Sequence, residues 1–159
     1  EDLPEDSDNP NYILLGREVR ENGRSTARVN GMTVNVGGQS MLLIPAHFLH
    51  SPGNFQVYDP VSRTLYSGDL GASLGDVGPF VTDFDAHIPF MKGFHERYIP
   101  SKAALERWVN TVSKLEIDRM APQHGSVFPD KESVHRFMDW VLTLTCPLDA
   151  SFDSYPLPS

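Results

Sequence analysis

Over the first seventy or so residues, apolar and polar positions alternate in short bursts; over the last sixty, apolar positions recur every three or four residues. Alternation places successive side chains on opposite faces of an extended chain, so it predicts strands over residues 12–19 (YILLGREV), 27–29, 32–36, 41–47, 55–58 and 64–67. Asn22-Gly23, Asn30-Gly31 and Gly37-Gly38 punctuate the early strands with residues that accept positive φ, and Asp59-Pro60 punctuates the last pair. The pattern is a meander.

The helical period predicts two helices. Ser101 can cap one that lines up Leu105, Trp108, Val109, Val112 and Leu115, and Asp130 can cap another that lines up Val134, Phe137, Met138, Val141 and Leu142. Both apolar faces need a sheet to cover, with Trp108 and Trp140 as core residues. A short strand over 117–121 fits between them and ends at Pro122-Gln123-His124-Gly125. From Gly68 to Asp85 neither period holds, and the expectation is loop. Residues 1–11 (five acids within the first ten) read as a solvated arm, 12–146 as one domain, and 147–159, with three prolines, as a tail that wraps or frays.

The length of 159 residues suits one core, and nothing approaches a membrane-spanning apolar run. Thirteen Lys and Arg against 21 Asp and Glu give a net charge of −8, which disfavours nucleic acid as a partner. A single cysteine, Cys146, cannot form an internal disulfide, and no charged-then-apolar leader is present, so the expected location is cytoplasmic. Glu1 in place of a methionine suggests a cut start.

Three polar residues share one setting, because each follows a predicted strand and lies beside glycine: His50 in HSPGN, Asp69 in SGDLG and His124 in PQHGS. Imidazoles and carboxylates are the usual ligands of zinc and non-haem iron, and a carboxylate can bridge two ions. Spacing alone leaves a hydrogen-bonded surface role open for both histidines.

The local sequences go further. HSPGN, the SGD turn and APQHG resemble, in order and separation, the last three metal-binding motifs of the metallo-β-lactamase superfamily, and LHSPGNFQVYDPVSRTLYSGDLGAS with MAPQHGSVF is similar to its di-iron branch, the flavodiiron proteins and the stand-alone oxygen-binding di-iron proteins. The resemblance implies an α/β fold, the C-terminal half of an αββα sandwich, with a mixed or antiparallel sheet covered by helices on one face. It also implies that His50 binds one metal, Asp69 bridges both and His124 binds the other. The HxHxDH motif, or HxExD in the di-iron branch, that completes the site in that family is absent.

Two iron ions are the implied cofactor, two zinc ions the alternative, and no phosphate-cradling glycine loop suggests a flavin. The implied function is binding of dioxygen or nitric oxide, with reduction by an external electron donor or sensing without turnover. The runner-up is a zinc hydrolase acting on an ester or thioester, and the third reading a non-catalytic domain with a vestigial site. The exposed sheet face of half a sandwich should leave the chain marginally stable, or pair it with a second copy or its missing N-terminal half.

Other candidates are weaker. His47 and His50 sit three apart on an expected strand and should face opposite ways, leaving His47 a packing residue or, alternatively, one that supports the ligands from behind. His95 and Tyr98, in GFHERYIPS, are candidates to line the pocket or stand behind the ligands on a helical turn over the mouth of the site. Phe90, Met91 and Phe94 read as core or as a dry wall, Asp83 and Asp85 as loop acids, His87 as a ligand only if its loop folds back, His135 as exposed and Cys146 as inert.

Overall fold

The computed structural model describes residues 17–19, 25–27, 33–36 and 39–149, with side chains from residue 40 onward. Its strands are β1 (Arg17–Val19), β2 (Ser25–Ala27), β3 (Thr33–Val36), β4 (Gln39–Pro45), β5 (Phe55–Asp59), β6 (Thr64–Gly68) and β7 (Arg119–Pro122). Its helices are α1 (Phe84–Tyr98), α2 (Lys102–Val112) and α3 (Lys131–Val141). The acidic arm, the turns at Asn22-Gly23, Asn30-Gly31 and Gly37-Gly38, and the tail beyond 149 lie outside the described residues.

β1 and β2 pair by themselves, while β3 to β7 form one sheet in the order β3-β4-β5-β6-β7. Neighbours are antiparallel up to β6, and β7 joins β6 in parallel. A parallel neighbour needs a long crossover, which α1 and α2 supply. The cross-strand pairs Leu42–Tyr58, Ile44–Gln56, Tyr58–Leu65 and Leu65–Met120 put these side chains on one face. That face forms a single core with the helices, in which Trp108, Phe128 and Phe137 are among the largest buried side chains. The other face carries Val57, Tyr66 and Ala121, with Tyr66 47% exposed, and a shallow cleft of about 600 Å³ lies over it between Tyr66, Phe80, Ala121 and Val127.

The two expected helices form where expected. Asp130 caps α3 through a reciprocal capping box with Ser133, whereas Ser101 takes the N-cap position of α2 without a side-chain cap bond. Of α1 only a helical turn at GFHERYIPS was expected, not a helix of about four turns from Phe84. Its Pro89, which lacks the N–H that would bond back to Asp85, and Gly93 disguise a helix that Asp83 caps at one end and Pro100 stops at the other. The expected loop therefore ends at Asp83, and Asp83 and Asp85 are not loop acids: Asp83 is the cap, and Asp85 lies in the first turn of α1, paired with Arg136 of α3. At the start of the expected tail, Leu148 and Asp149 hydrogen-bond to Pro100 and Lys102 and pin it over the start of α2. No helix among the described residues is long and apolar enough to cross a membrane.

One buried polar link ties the core to the edge where β6 ends. Gln56, 1% exposed, accepts from Trp108 Nε1 at 2.7 Å and donates to the Ser67 carbonyl at 3.0 Å. Replacing Gln56 with Leu strands the indole N–H of Trp108, so Gln56→Leu is expected to lower unfolding free energy by roughly 1–3 kcal/mol, read as a lower denaturant midpoint.

Candidate metal centre

Because β4 and β6 are each antiparallel to β5, and β7 is parallel to β6, the strands β4, β6 and β7 all run the same way. The loops leaving their C-terminal ends carry His50, Asp69 and His124 to one edge of the sheet.

The His50 loop is folded on itself. The Ala46 amide donates to the Asn54 carbonyl at 3.0 Å, the Phe48 amide to Ser51 at 2.8 Å, and Asn54 Nδ2 to the Leu49 carbonyl at 2.7 Å. These bonds hold His50 at φ +83°, a left-handed conformation that a side chain other than glycine rarely adopts and that clusters at functional sites. Its ring lies parallel to Phe94 at 5.8 Å between centroids and tilted against Tyr98 at 5.3 Å, both on α1.

Asp69 heads a tight turn in which Ser67 Oγ donates to the Leu70 carbonyl at 2.6 Å and the Ala72 amide to the Asp69 carbonyl at 3.1 Å. His124 is clamped to the same segment. The Gln123 amide donates to the Gly68 carbonyl at 2.7 Å, the Ser73 amide to the His124 carbonyl at 3.3 Å, and the Ser126 amide to Ser73 Oγ at 3.0 Å. Gly125 makes this approach possible: at φ +86°, a Cβ there would stand 2.6 and 2.8 Å from the Ser73 carbonyl oxygen and nitrogen.

The carboxylate of Asp69 consequently stands between two imidazoles. Its Oδ2 is 3.7 Å from His50 Nδ1, and its Oδ1 is 3.7 Å from His124 Nε2. That separation is too long for a direct hydrogen bond. It lies within the roughly 4.2 Å that two bonds of about 2.1 Å can span through a shared metal ion. Each carboxylate oxygen faces a different histidine, so the three groups fit a bridging carboxylate with one imidazole at each end. Among the described residues, no three His, Cys, Asp or Glu side chains converge on a single ion position. The arrangement is two histidine–carboxylate pairs sharing Asp69, and further ligands must come from other groups. Side-chain exposures of 38% for His50, 27% for Asp69 and 62% for His124 leave the front open.

The remaining candidates separate. His95, on α1, is fully buried: its Nε2 accepts from the Gly71 amide at 2.9 Å, and Nδ1 lies 2.8 Å from the Met91 carbonyl. Burial pushes its pKa down to about 4, slightly offset by the Met91 bond. Tyr98 is 46% exposed and flanks His50. The alternation argument for His47 fails because β4 ends at Pro45; His47 packs edge-on against Phe55 at 4.9 Å and lines a cavity of about 280 Å³ with Arg107 and Trp108. His87 is buried on α1 with its Nε2 unpaired among the described residues, and burial lowers its pKa. Cys146 is fully buried, and chiefly burial pushes its thiol up to about 11, which keeps it unreactive. Sequence reasoning missed Gln56 and Ser73 as supports of the site, while Phe94, one of the residues read as core or dry wall, stands against His50; only the glycines beside His124 and Asp69 signalled the close backbone approach.

The family model described as "ODP family beta lactamase" matches residues 14–125, which include all three candidate ligands. Among solved structures, one described as the peroxy di-iron species of the chemotaxis sensor ODP is 44% identical over 75% of this chain and 52% of its own, with a TM-score of 0.71. The apo state of the chemotaxis sensor ODP from T. denticola is likewise 44% identical, over 75% of this chain and 51% of its own, with a TM-score of 0.70. The chain thus spans about half the length of the ODP structures it matches. A variant of the flavo di-iron protein from Thermotoga maritima (19% identical, 74% of this chain and 30% of its own, TM-score 0.63) shares the fold. So does rubredoxin oxygen:oxidoreductase from Desulfovibrio gigas (13% identical, 74% and 31%, TM-score 0.66). The fold is α/β and metallo-β-lactamase-like. No curated protein sequence matches.

Two outcomes test this construction. Gly125→Ala forces a Cβ into the backbone of Ser73 and is expected to destabilise the protein by roughly 1–3 kcal/mol, measured by denaturant unfolding. Acidification should also destabilise it. Because the pKa of His95 is lower folded than its ordinary 6.5, its contribution is complete above pH 6.5 and is lost as the pH falls towards about 4. That loss amounts to roughly 3 kcal/mol. His95→Gln should flatten this part of the stability–pH curve, and an unchanged slope would refute the assignment.

Proposed function

The chain belongs to the ODP beta-lactamase family, and from that premise we propose that it forms the ligand-bearing part of a dinuclear non-haem iron centre that binds dioxygen in order to report it. The observation that carries this reading is the Asp69 carboxylate, whose two oxygens each face a separate imidazole at 3.7 Å. A chemotaxis sensor at 44% identity, described in a di-iron state, favours sensing over turnover.

In this reading His50 Nδ1, His124 Nε2 and the Asp69 carboxylate are the groups that would hold the two irons, with Asp69 shared between the two histidines. Two ferrous ions, when bound, would supply reducing electrons and open coordination positions for a diatomic gas. The protein's part is geometric. Phe94 and Tyr98 brace the His50 ring, and the paired backbone bonds between residues 68–73 and 123–126 hold His124 opposite it. Nitric oxide has the size and ligand chemistry to compete for the same positions. Any turnover would need an external electron donor, and a complete coordination shell would need groups beyond these three.

The test is anaerobic iron loading of the intact protein, followed by elemental analysis and an optical titration with dioxygen. The expected result is two irons per centre with oxygen-dependent absorption. Asp69→Asn should lower iron affinity by about tenfold or more, and His50→Ala and His124→Ala should each cost one iron. Zinc taken up in preference to iron would point to the hydrolase reading instead, and full iron loading of Asp69→Asn would remove the bridging role.

A further inference from the structure

We propose that His95 is the positioning residue of this centre: by accepting the Gly71 amide proton on Nε2, it fixes the turn that aims the Asp69 carboxylate between His50 and His124. This rests on the reading of those three residues as ligands.

The tautomer follows from the partners. A backbone N–H can only donate, so Nε2 of His95 carries no proton and accepts from Gly71 at 2.9 Å. The ring proton of the neutral imidazole is then on Nδ1, where it donates to the Met91 carbonyl at 2.8 Å. Both ring nitrogens are committed to backbone. The rings of Phe94, Phe137 and Trp140 enclose the imidazole at centroid distances of 5.4, 5.8 and 5.4 Å. A polar side chain this enclosed, with no exposed surface, has little freedom to move, and its low pKa keeps it neutral.

The amides of the Asp69 turn show why this bond matters. Leu70 donates to Ser67, Ala72 to Asp69 and Ser73 to His124, all partners inside the two site loops. Gly71 alone among these four donates to a helix behind the loops. The turn is packed closely there, since a Cβ on Gly71 would come within 2.9 Å of Met120 Cε and 3.1 Å of Phe128, and its amide meets a fully buried imidazole. The same helix also braces His50, since Phe94 precedes His95 and Tyr98 lies one turn-edge further on. α1 is therefore the common reference against which two of the three candidate ligands are set. Metal sites need their supporting groups held to within about half an ångström.

Three variants of the intact protein separate positioning from packing. In His95→Gln the side-chain oxygen lies as many bonds from Cα as Nε2 and can still accept from Gly71. In His95→Asn the amide ends where Nδ1 stood and cannot reach Gly71. His95→Leu removes both bonds but keeps apolar bulk. The measurements are iron affinity by chelator competition, the optical spectrum with dioxygen, the exchange rate of the Gly71 amide proton, and the ¹⁵N shifts of the wild-type imidazole. The expected result is an unprotonated Nε2 and a protected Gly71 amide in the wild type. Iron affinity in His95→Gln should stay near that of the wild type, and in His95→Asn and His95→Leu fall by about 10- to 100-fold with an altered spectrum. Asn and Leu variants that load iron and respond to dioxygen like the wild type would overturn the role of His95. Should those variants fail to fold, a rapidly exchanging Gly71 amide or a protonated Nε2 in the wild type would overturn it instead. Wild-type protein that takes up no iron would overturn the di-iron reading itself, a result distinct from any difference between variants.

Discussion

A carboxylate held between two imidazoles without touching either is the constraint on which this structure turns. Left to themselves, Asp69, His50 and His124 would hydrogen-bond to one another or to water; their 3.7 Å separations persist because the backbone around each is fixed independently of its side chain. Three strands of common direction bring the loops to one edge, and cross-loop amide bonds then set the spacing. Positive φ at His50, Gly71 and Gly125 marks the places where the chain departs from relaxed geometry to achieve it. Such departures last only where surrounding bonds over-determine them, and here the bonds are printed into the loops themselves: each of the amides from Leu70 to Ser73 has a fixed acceptor.

Behind this edge, the packing explains why the loops stay put. The core around α1 and α3 is dominated by rings in edge and tilted contact: Phe84, Phe128, Phe137, Trp140 and Trp108. Aromatic pairs of this kind add roughly 0.5–1.5 kcal/mol each beyond their buried area, and they interlock shapes rather than merely fill volume. Polar groups enter this layer at few points. Gln56 connects α2 to the end of β6, and His95 connects α1 to the turn that follows it. Both links terminate within two residues of Asp69, one before it and one after. A buried polar group is tolerated where its bonds are satisfied, and both of these are used to set the conformation of one short segment.

Much of this was legible in the chain, and what was not has identifiable causes. The strands and the helices α2 and α3 were readable because apolar spacing and Asp130 agree with the final structure at every level. The three candidate ligands were readable because glycine beside a polar residue at a strand end is an unusual pairing, and the structure brings all three together. α1 was hidden because local propensity opposes it: Pro89 and Gly93 lie in its interior, and the burial of Met91 and His95 outweighs them. That one misreading carried others with it. Asp83 looked like a loop acid instead of a cap, and of the two readings open for Phe94, core or dry wall, only the helix shows it as the wall behind His50. His47 was read as a packing residue and does pack, against Phe55, but the strand alternation used to argue it stops at Pro45. Gln56 had no signal at all, since a glutamine in a strand reads as an exposed position until its tryptophan partner, 52 residues away, is known.

The distribution of support across the site decides what this chain contributes. Everything that fixes the candidate ligands, namely the ring stack on His50, the His95 bond and the loop-to-loop amides, lies behind them, on the helix side of the sheet edge or between the loops. The front is different: His124 is 62% exposed, and the opposite sheet face presents Tyr66 to a shallow cleft. A site with a rigid rear and an open front does not need its remaining ligands in order to be shaped. Groups that complete the coordination would meet three donors already set in place, so they would add binding strength and choice of metal more than order. On the proposed reading, preorganisation would reside in these three residues and their supports, and chemical identity would be set jointly with whatever closes the front.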